Sequence, residues 1–191
     1  MAEVLLFHHA LGLTAGVQAF AQALRAAGHT VHAPDLYEGR RFDTVQDGVA
    51  HAKSIGFDVL LQRGVQAAQT LPPGLVYAGF SLGVLPAQKL AQTRPGARGA
   101  LLLHACVPLE SFSPRWPEGL PVQIHAMDAD PFFVDDGDRD AALALLRAAQ
   151  QAELFLYQGR QHLFAEVGQP SFDAAATAVM TRRVLAFLAS R

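Results

Sequence analysis

The chain has 191 residues, 51 % of them hydrophobic and only 17 % charged, with a formal net charge of −2. This composition excludes a disordered chain and fits one domain of ordinary size. The small negative charge and the lack of a dense basic run exclude the electrostatic signature of a nucleic-acid binder.

A single cysteine, Cys106, excludes an internal disulfide framework and a CxxC metal or redox motif. The N-terminal residues MAEVLLFHH lack the basic segment and long apolar run of a secretion signal. No stretch approaches the roughly 18–20 apolar residues of a membrane span. The expectation is a cytoplasmic protein, monomer or homodimer, whose partner is a small molecule.

In chain order, Val4 to His8 is a short apolar run, readable as a strand buried on both faces. Thr14 can cap the helix that follows. Val17, Phe20 and Leu24 fall at helical spacing, and Gly28 suits the stop. Thr30 to Ala33 is a second strand, ended by Pro34. Residues 44–70 have helical character, and Gly48, Gly56 and Gly64 suggest two helices rather than one. Leu75 to Ala78 is a third strand. Leu82 to Thr93 is helical, with Pro86 tolerable only near its first turn.

Ala100 to His104 and Val122 to Ala126 read as the fourth and fifth strands, separated by a loop with Pro108, Pro114 and Pro117. A helix over residues 138–150 and a sixth strand, Leu154 to Tyr157, follow. The last helix begins near Phe172, with Ala176, Met180, Val184 and Phe187 inward. Such alternation predicts an α/β fold in one domain: a doubly wound, mostly parallel sheet of about six strands with helices on both faces. Sheets of this kind bind ligands at the carboxyl ends of their strands.

Three segments at such positions carry chemistry. Gly79-Phe80-Ser81-Leu82-Gly83 fits the G-x-S-x-G nucleophile elbow, and the strand before it and helix after it supply the setting that the motif needs. Glycines two residues either side of the serine let backbone approach a sharp, strained turn, and the Leu82 N–H then faces an oxyanion. Taken alone, a glycine-flanked serine can also merely cap a helix.

A serine needs a base, and the base an orienting acid, expected in the order Ser, Asp, His. After the fifth strand, Asp128 and Asp130 compete for the acid; Asp130-Pro131 starts a turn just past the strand end, which favours Asp130. After the sixth strand comes His162, the only histidine beyond His125. The second oxyanion donor is expected from the loop after the first strand, as the N–H of Ala10 or of Leu11. His8 and His9 invite a metal reading, but neighbours on an extended strand face opposite ways. His9 near the site mouth is instead a candidate for contacting substrate. Phe132 and Trp116, with Phe80, Leu82, Phe133 and Leu163, are candidates for lining a pocket. Arg40, Arg41 and Arg160 read as surface charge, with a hold on a carboxylate substrate as the alternative. Cys106 reads as a small buried apolar residue, with a Cys106–His104 nucleophile pair as the alternative.

With these residues in place, the chain resembles dienelactone hydrolases and their relatives in the α/β-hydrolase superfamily. The matching stretches are VLLFHHALGLT (4–14), APDLYEG (33–39), GFSLG (79–83), HAMDADPFFV (125–134), YQGRQHLF (157–164) and FDAAAT (172–177), in the family's order across nearly the whole chain. The family's acid stands just before an apolar pair, which points to Asp130 over Asp128. The resemblance implies hydrolysis of small esters or lactones, with no metal or organic cofactor.

Two departures stand out. Ser81 replaces the cysteine nucleophile of the name-giving enzyme, and His9 replaces a first-loop glutamate that helps to activate that cysteine. The expectation is therefore a general serine esterase rather than an enzyme for dienelactone itself. The match begins at the family's third strand, without its antiparallel N-terminal strands. An acyltransferase or thioesterase on the same triad, and a non-catalytic ligand-binding relative, are the competing readings.

Overall fold

The computed structural model describes residues 1–191. Six strands form one sheet: β1 (Glu3–Phe7), β2 (Thr30–His32), β3 (Val76–Phe80), β4 (Gly99–Leu103), β5 (Val122–Met127) and β6 (Ala152–Tyr157). Their order is β2-β1-β3-β4-β5-β6, and every neighbouring pair is parallel. The apolar runs explain the arrangement. Parallel strands need crossovers that cover both faces, so the four inner strands are almost wholly buried; β1, β3 and β4 are largely apolar on both sides, while β5 buries Gln123 and His125 in hydrogen bonds with Glu153 and Tyr157. The two edges, β2 and β6, keep partly exposed residues.

Two apolar clusters flank the sheet. Leu5, Phe7, Tyr77, Leu102 and Ile124 point to one face, where α2 (Val45–Ile55), α3 (Phe57–Gln69), α4 (Val84–Thr93) and α6 (Asp138–Ala148) pack. Val4, Leu6, Ala78, Leu101 and Leu103 point to the other, under α1 (Ala15–Ala26) and α7 (Ala174–Ala189). A four-residue helix, α5 (Pro131–Val134), precedes α6. No helix is long and apolar enough to cross a membrane.

Local chemistry sets the boundaries. Thr14 accepts the Val17 N–H and starts α1, and Gly28, at φ +91°, follows its end. The helical region 44–70 does divide in two, at Gly56 with φ +96°. Gly48 and Gly64 lie inside helices for packing reasons: a Cβ would collide with the Ala10 carbonyl at Gly48 and with the Pro86 ring at Gly64. Pro86 is the third residue of α4, where its missing N–H costs no helical bond.

Strand β3 extends two residues beyond the expected end, through Gly79 to Phe80, before a 3₁₀ turn over Ser81–Gly83. β1 instead ends at Phe7, so His8 and His9 belong to the following loop. From β1 the chain crosses to β2 on one side, and β3 to β6 continue on the other. The loops after β1 and β3 therefore part at a topological switch point, where a crevice at the carboxyl ends is expected.

Candidate active site

Ser81 follows β3 with φ +48°, an angle uncommon for a residue with a Cβ. A Cβ at Gly79 would collide with the Gly83 carbonyl, and one at Gly83 with the carbonyls of Phe7 and His8. Glycine is thus a steric requirement at both positions. The same close approach lays the turn after β3 against the end of β1.

Three loops converge above this turn. Ser81 Oγ lies 2.8 Å from His162 Nε2, and His162 Nδ1 lies 2.7 Å from Asp130 Oδ2. With the Nδ1–H donated to the carboxylate, the Nε2 lone pair is left facing the hydroxyl. Asp130 is fully buried, and its other oxygen accepts the Phe132 N–H at 3.0 Å, capping α5. Asp128 sits apart: it is exposed and accepts the Gly159 N–H at 3.0 Å, linking the loops after β5 and β6. Phe132, 38 % exposed, lays its ring over the His162 imidazole with centroids 4.4 Å apart, forming an apolar wall at the mouth.

The loop after β1 contributes backbone. The Leu11 N–H is engaged, donating to His9 Nδ1 at 3.3 Å, whereas the Ala10 N–H has no hydrogen-bond partner in the protein. Leu82, half-buried, packs against the apolar cluster under α4 and follows Ser81 directly.

Two expected substrate contacts lie elsewhere. His9 does not stand at the mouth. It is buried, and its Nε2 lies 2.9 Å from Glu166 Oε2, because β1 ends before it and the loop turns its ring into the body of the fold. Trp116 is a core residue at the opposite end of the sheet. Its indole N–H donates to Leu120 O at 2.8 Å, next to the start of β5, and the ring joins the apolar cluster under α4. The β4–β5 connection has crossed to the amino ends before it reaches Trp116.

Of the other residues near the site, sequence reasoning names His104 only as the alternative partner of Cys106, and Asp138 and Glu166 not at all. His104, at φ +69°, stacks on Phe80 and packs edge-on against Phe164 and His162. Burial, and then the neighbouring His162, His9 and His125 rings, hold its pKa well below the ordinary histidine range, so it is a neutral ring beneath the site. Asp138 accepts the Cys106 N–H at 3.0 Å, and burial raises its pKa to about 6. Cys106 is no partner of His104: its thiol is buried beside Gln88, and burial pushes its pKa up, away from thiolate chemistry. Glu166 had a signal in sequence, being a lone charge within the apolar run LFAEV.

The family model of the dienelactone hydrolase family matches residues 1–191. The chain belongs to the dienelactone hydrolase family. Among solved structures, it is similar to a dienelactone hydrolase from Klebsiella pneumoniae (TM-score 0.71, 20 % identity, 100 % of this chain and 88 % of that one). It is also similar to a dienelactone hydrolase-like promiscuous phosphotriesterase from metagenomic libraries (TM-score 0.70, 16 % identity, 100 % and 86 %). A third similar structure is the apo form of Thermogutta terrifontis esterase 2 (TM-score 0.61, 18 % identity, 99 % and 83 %). No curated protein matches the sequence significantly. The six parallel strands with helices on both faces match the α/β-hydrolase fold of these structures, and the family is one of hydrolases.

Proposed function

We propose that this member of the dienelactone hydrolase family is a serine hydrolase of small carboxylic esters or lactones, acting through Ser81, His162 and Asp130. The observation that carries the reading is the unbroken relay from the Ser81 hydroxyl through His162 to buried Asp130, at 2.8 and 2.7 Å. Each group suits its role. Ser81 stands on a strained turn at the switch point, His162 sets Nε2 against the Ser81 hydroxyl, and Asp130 keeps both oxygens engaged.

In the first half-reaction, Ser81 Oγ attacks the carbonyl carbon while His162 Nε2 takes its proton. The carbonyl oxygen becomes an oxyanion held by the N–H groups of Leu82 and Ala10. Collapse of this intermediate breaks the C–O bond to the alcohol, which leaves with the proton from His162. In the second half, water attacks the acyl-enzyme, His162 takes the water's proton, and Ser81 is restored as the acid departs. Asp130 steadies the imidazolium at both steps. Each oxyanion donor is worth about 3–4 kcal/mol of the barrier. Phe132 offers an apolar contact to the substrate at the mouth, which favours uncharged acyl or alcohol groups. The names of two relatives, an esterase and a phosphotriesterase, belong to the same broad class of attack on an activated ester.

The test is turnover of a short p-nitrophenyl ester together with labelling by a fluorophosphonate probe and mass-spectrometric mapping. The expected outcome is a probe adduct on Ser81 and loss of about 10⁴–10⁶-fold in kcat for Ser81→Ala, with the fold retained. Unchanged turnover in Ser81→Ala, or a probe adduct elsewhere, overturns the reading.

A further inference from the structure

The buried pair of His9 and Glu166 joins the loop after β1 to the loop that bears His162, and nothing in the triad requires it. Its hydrogen bonds define the state of the ring. His9 Nδ1 accepts the Leu11 N–H, so the ring proton sits on Nε2 and is donated to Glu166 Oε2 at 2.9 Å. The Glu166 carboxylate rests against the first turn of α1, in space left free by Gly16, where a Cβ would collide with it. Negative charge is favoured at that end of a helix.

The same loop is pinned from the other side. His8 Nε2 accepts the Leu36 N–H at 3.0 Å, which leaves Nδ1–H to donate to His9 O at 2.7 Å. Burial lowers the His8 pKa to about 4, keeping this ring neutral. His9 O also accepts the Gly12 N–H at 3.0 Å. A trans peptide points its C=O and N–H in opposite directions. Two donors on His9 O therefore fix the direction of the N–H in the same peptide, which is that of Ala10, the amide with no partner in the protein.

We propose that His9 and Glu166 are positioning residues that hold the Ala10 amide at the angle required to receive the oxyanion formed at Ser81. The pair draws the Leu11 N–H away and leaves the Ala10 N–H as the donor on this loop. Through the turn that ends with Glu166 N–H on Leu163 O at 3.0 Å, it also keeps this donor in register with His162. The inference rests on the serine-hydrolase reading of the site.

The test compares a p-nitrophenyl ester with its thiono (C=S) analogue, counting active sites by fluorophosphonate titration. Sulfur fits poorly where two N–H groups are set for oxygen, so the oxo/thiono rate ratio reports donor geometry, and a merely structural role would not move it. In Glu166→Ala and His9→Ala, kcat for the ester should fall about 10–100-fold with KM changed little, and the ratio should collapse at least about five-fold. Glu166→Gln keeps an acceptor for the His9 Nε2–H and should restore the ratio to within about two-fold. Should the alanine variants fail to fold, Gly16→Ala displaces the carboxylate from outside the site and should lower the ratio in the same direction.

A ratio unchanged in folded Glu166→Ala or Gly16→Ala overturns the positioning role while leaving the esterase reading intact. A native protein that neither takes the probe at Ser81 nor turns over the ester overturns both.

Discussion

At the carboxyl ends of the strands, three residues with side chains hold positive φ: Glu38 at 55°, Ser81 at 48° and His104 at 69°. At the amino ends, the corresponding turns before β2, β4 and β5 reach positive φ at Gly28, Gly96 and Gly119. Both ends must reverse the chain, but only one does so with residues that are strained there. The difference shows where a side chain is required at the bend itself. Ser81 brings its hydroxyl to His162, and His104 places a ring beside His162. At the amino ends nothing depends on the turn residue's side chain, and the backbone takes the unstrained solution. Side chains there serve packing, as Trp116 does with its indole donating to Leu120 O.

The sharpest way to break this contrast is at the fully buried acid. Asp130→Asn should leave the fold in place and cut kcat by about 10⁴-fold, because the amide cannot hold His162 in the tautomer that leaves Nε2 free. A loss of less than ten-fold, measured on active-site-titrated enzyme, would mean that the carboxyl-end cluster is a packing feature like those at the other end.

Trp116→Ala tests the opposite end. It should lower the unfolding free energy by about 3–5 kcal/mol, through a large cavity and a lost hydrogen bond. Ester kcat and KM per folded molecule should stay as in the native protein. A shift in KM in that variant would return Trp116 to the substrate site.

The smallest effect addresses strain directly. Ser81→Gly should raise stability in denaturant melts by about 1 kcal/mol, since glycine adopts φ +48° without a Cβ penalty, while abolishing turnover. A loss of stability would show that the hydrogen bond to His162 outweighs the strain.

Much of this arrangement is legible in the residues. The apolar runs at β1, β3 and β4 carry no polar alternation, and only a parallel sheet covered on both faces buries such strands; β5 alternates Gln123 and His125 with apolar residues and is buried all the same. The glycines around Ser81 mark a tight turn, and the order of Ser81, Asp130 and His162 follows the strand order, so their meeting above the sheet was readable from chain order alone. Asp130-Pro131, which becomes the cap and first residue of α5, marked Asp130 rather than Asp128 as the carboxylate beside His162.

Only the tertiary structure decided what lies behind and beside those three residues. The contact between His9 and Glu166 spans 157 positions, and no local pattern encodes a partner at that distance. The place of Trp116 depended on how far the loop after β4 travels before β5 begins, which its prolines do not specify. Periodicity, turn chemistry and strand order are properties of neighbours along the chain, so the amino-acid sequence determines them by itself. Which loop residue turns inward depends on the space left by elements distant in sequence, such as the gap at Gly16 that admits a carboxylate.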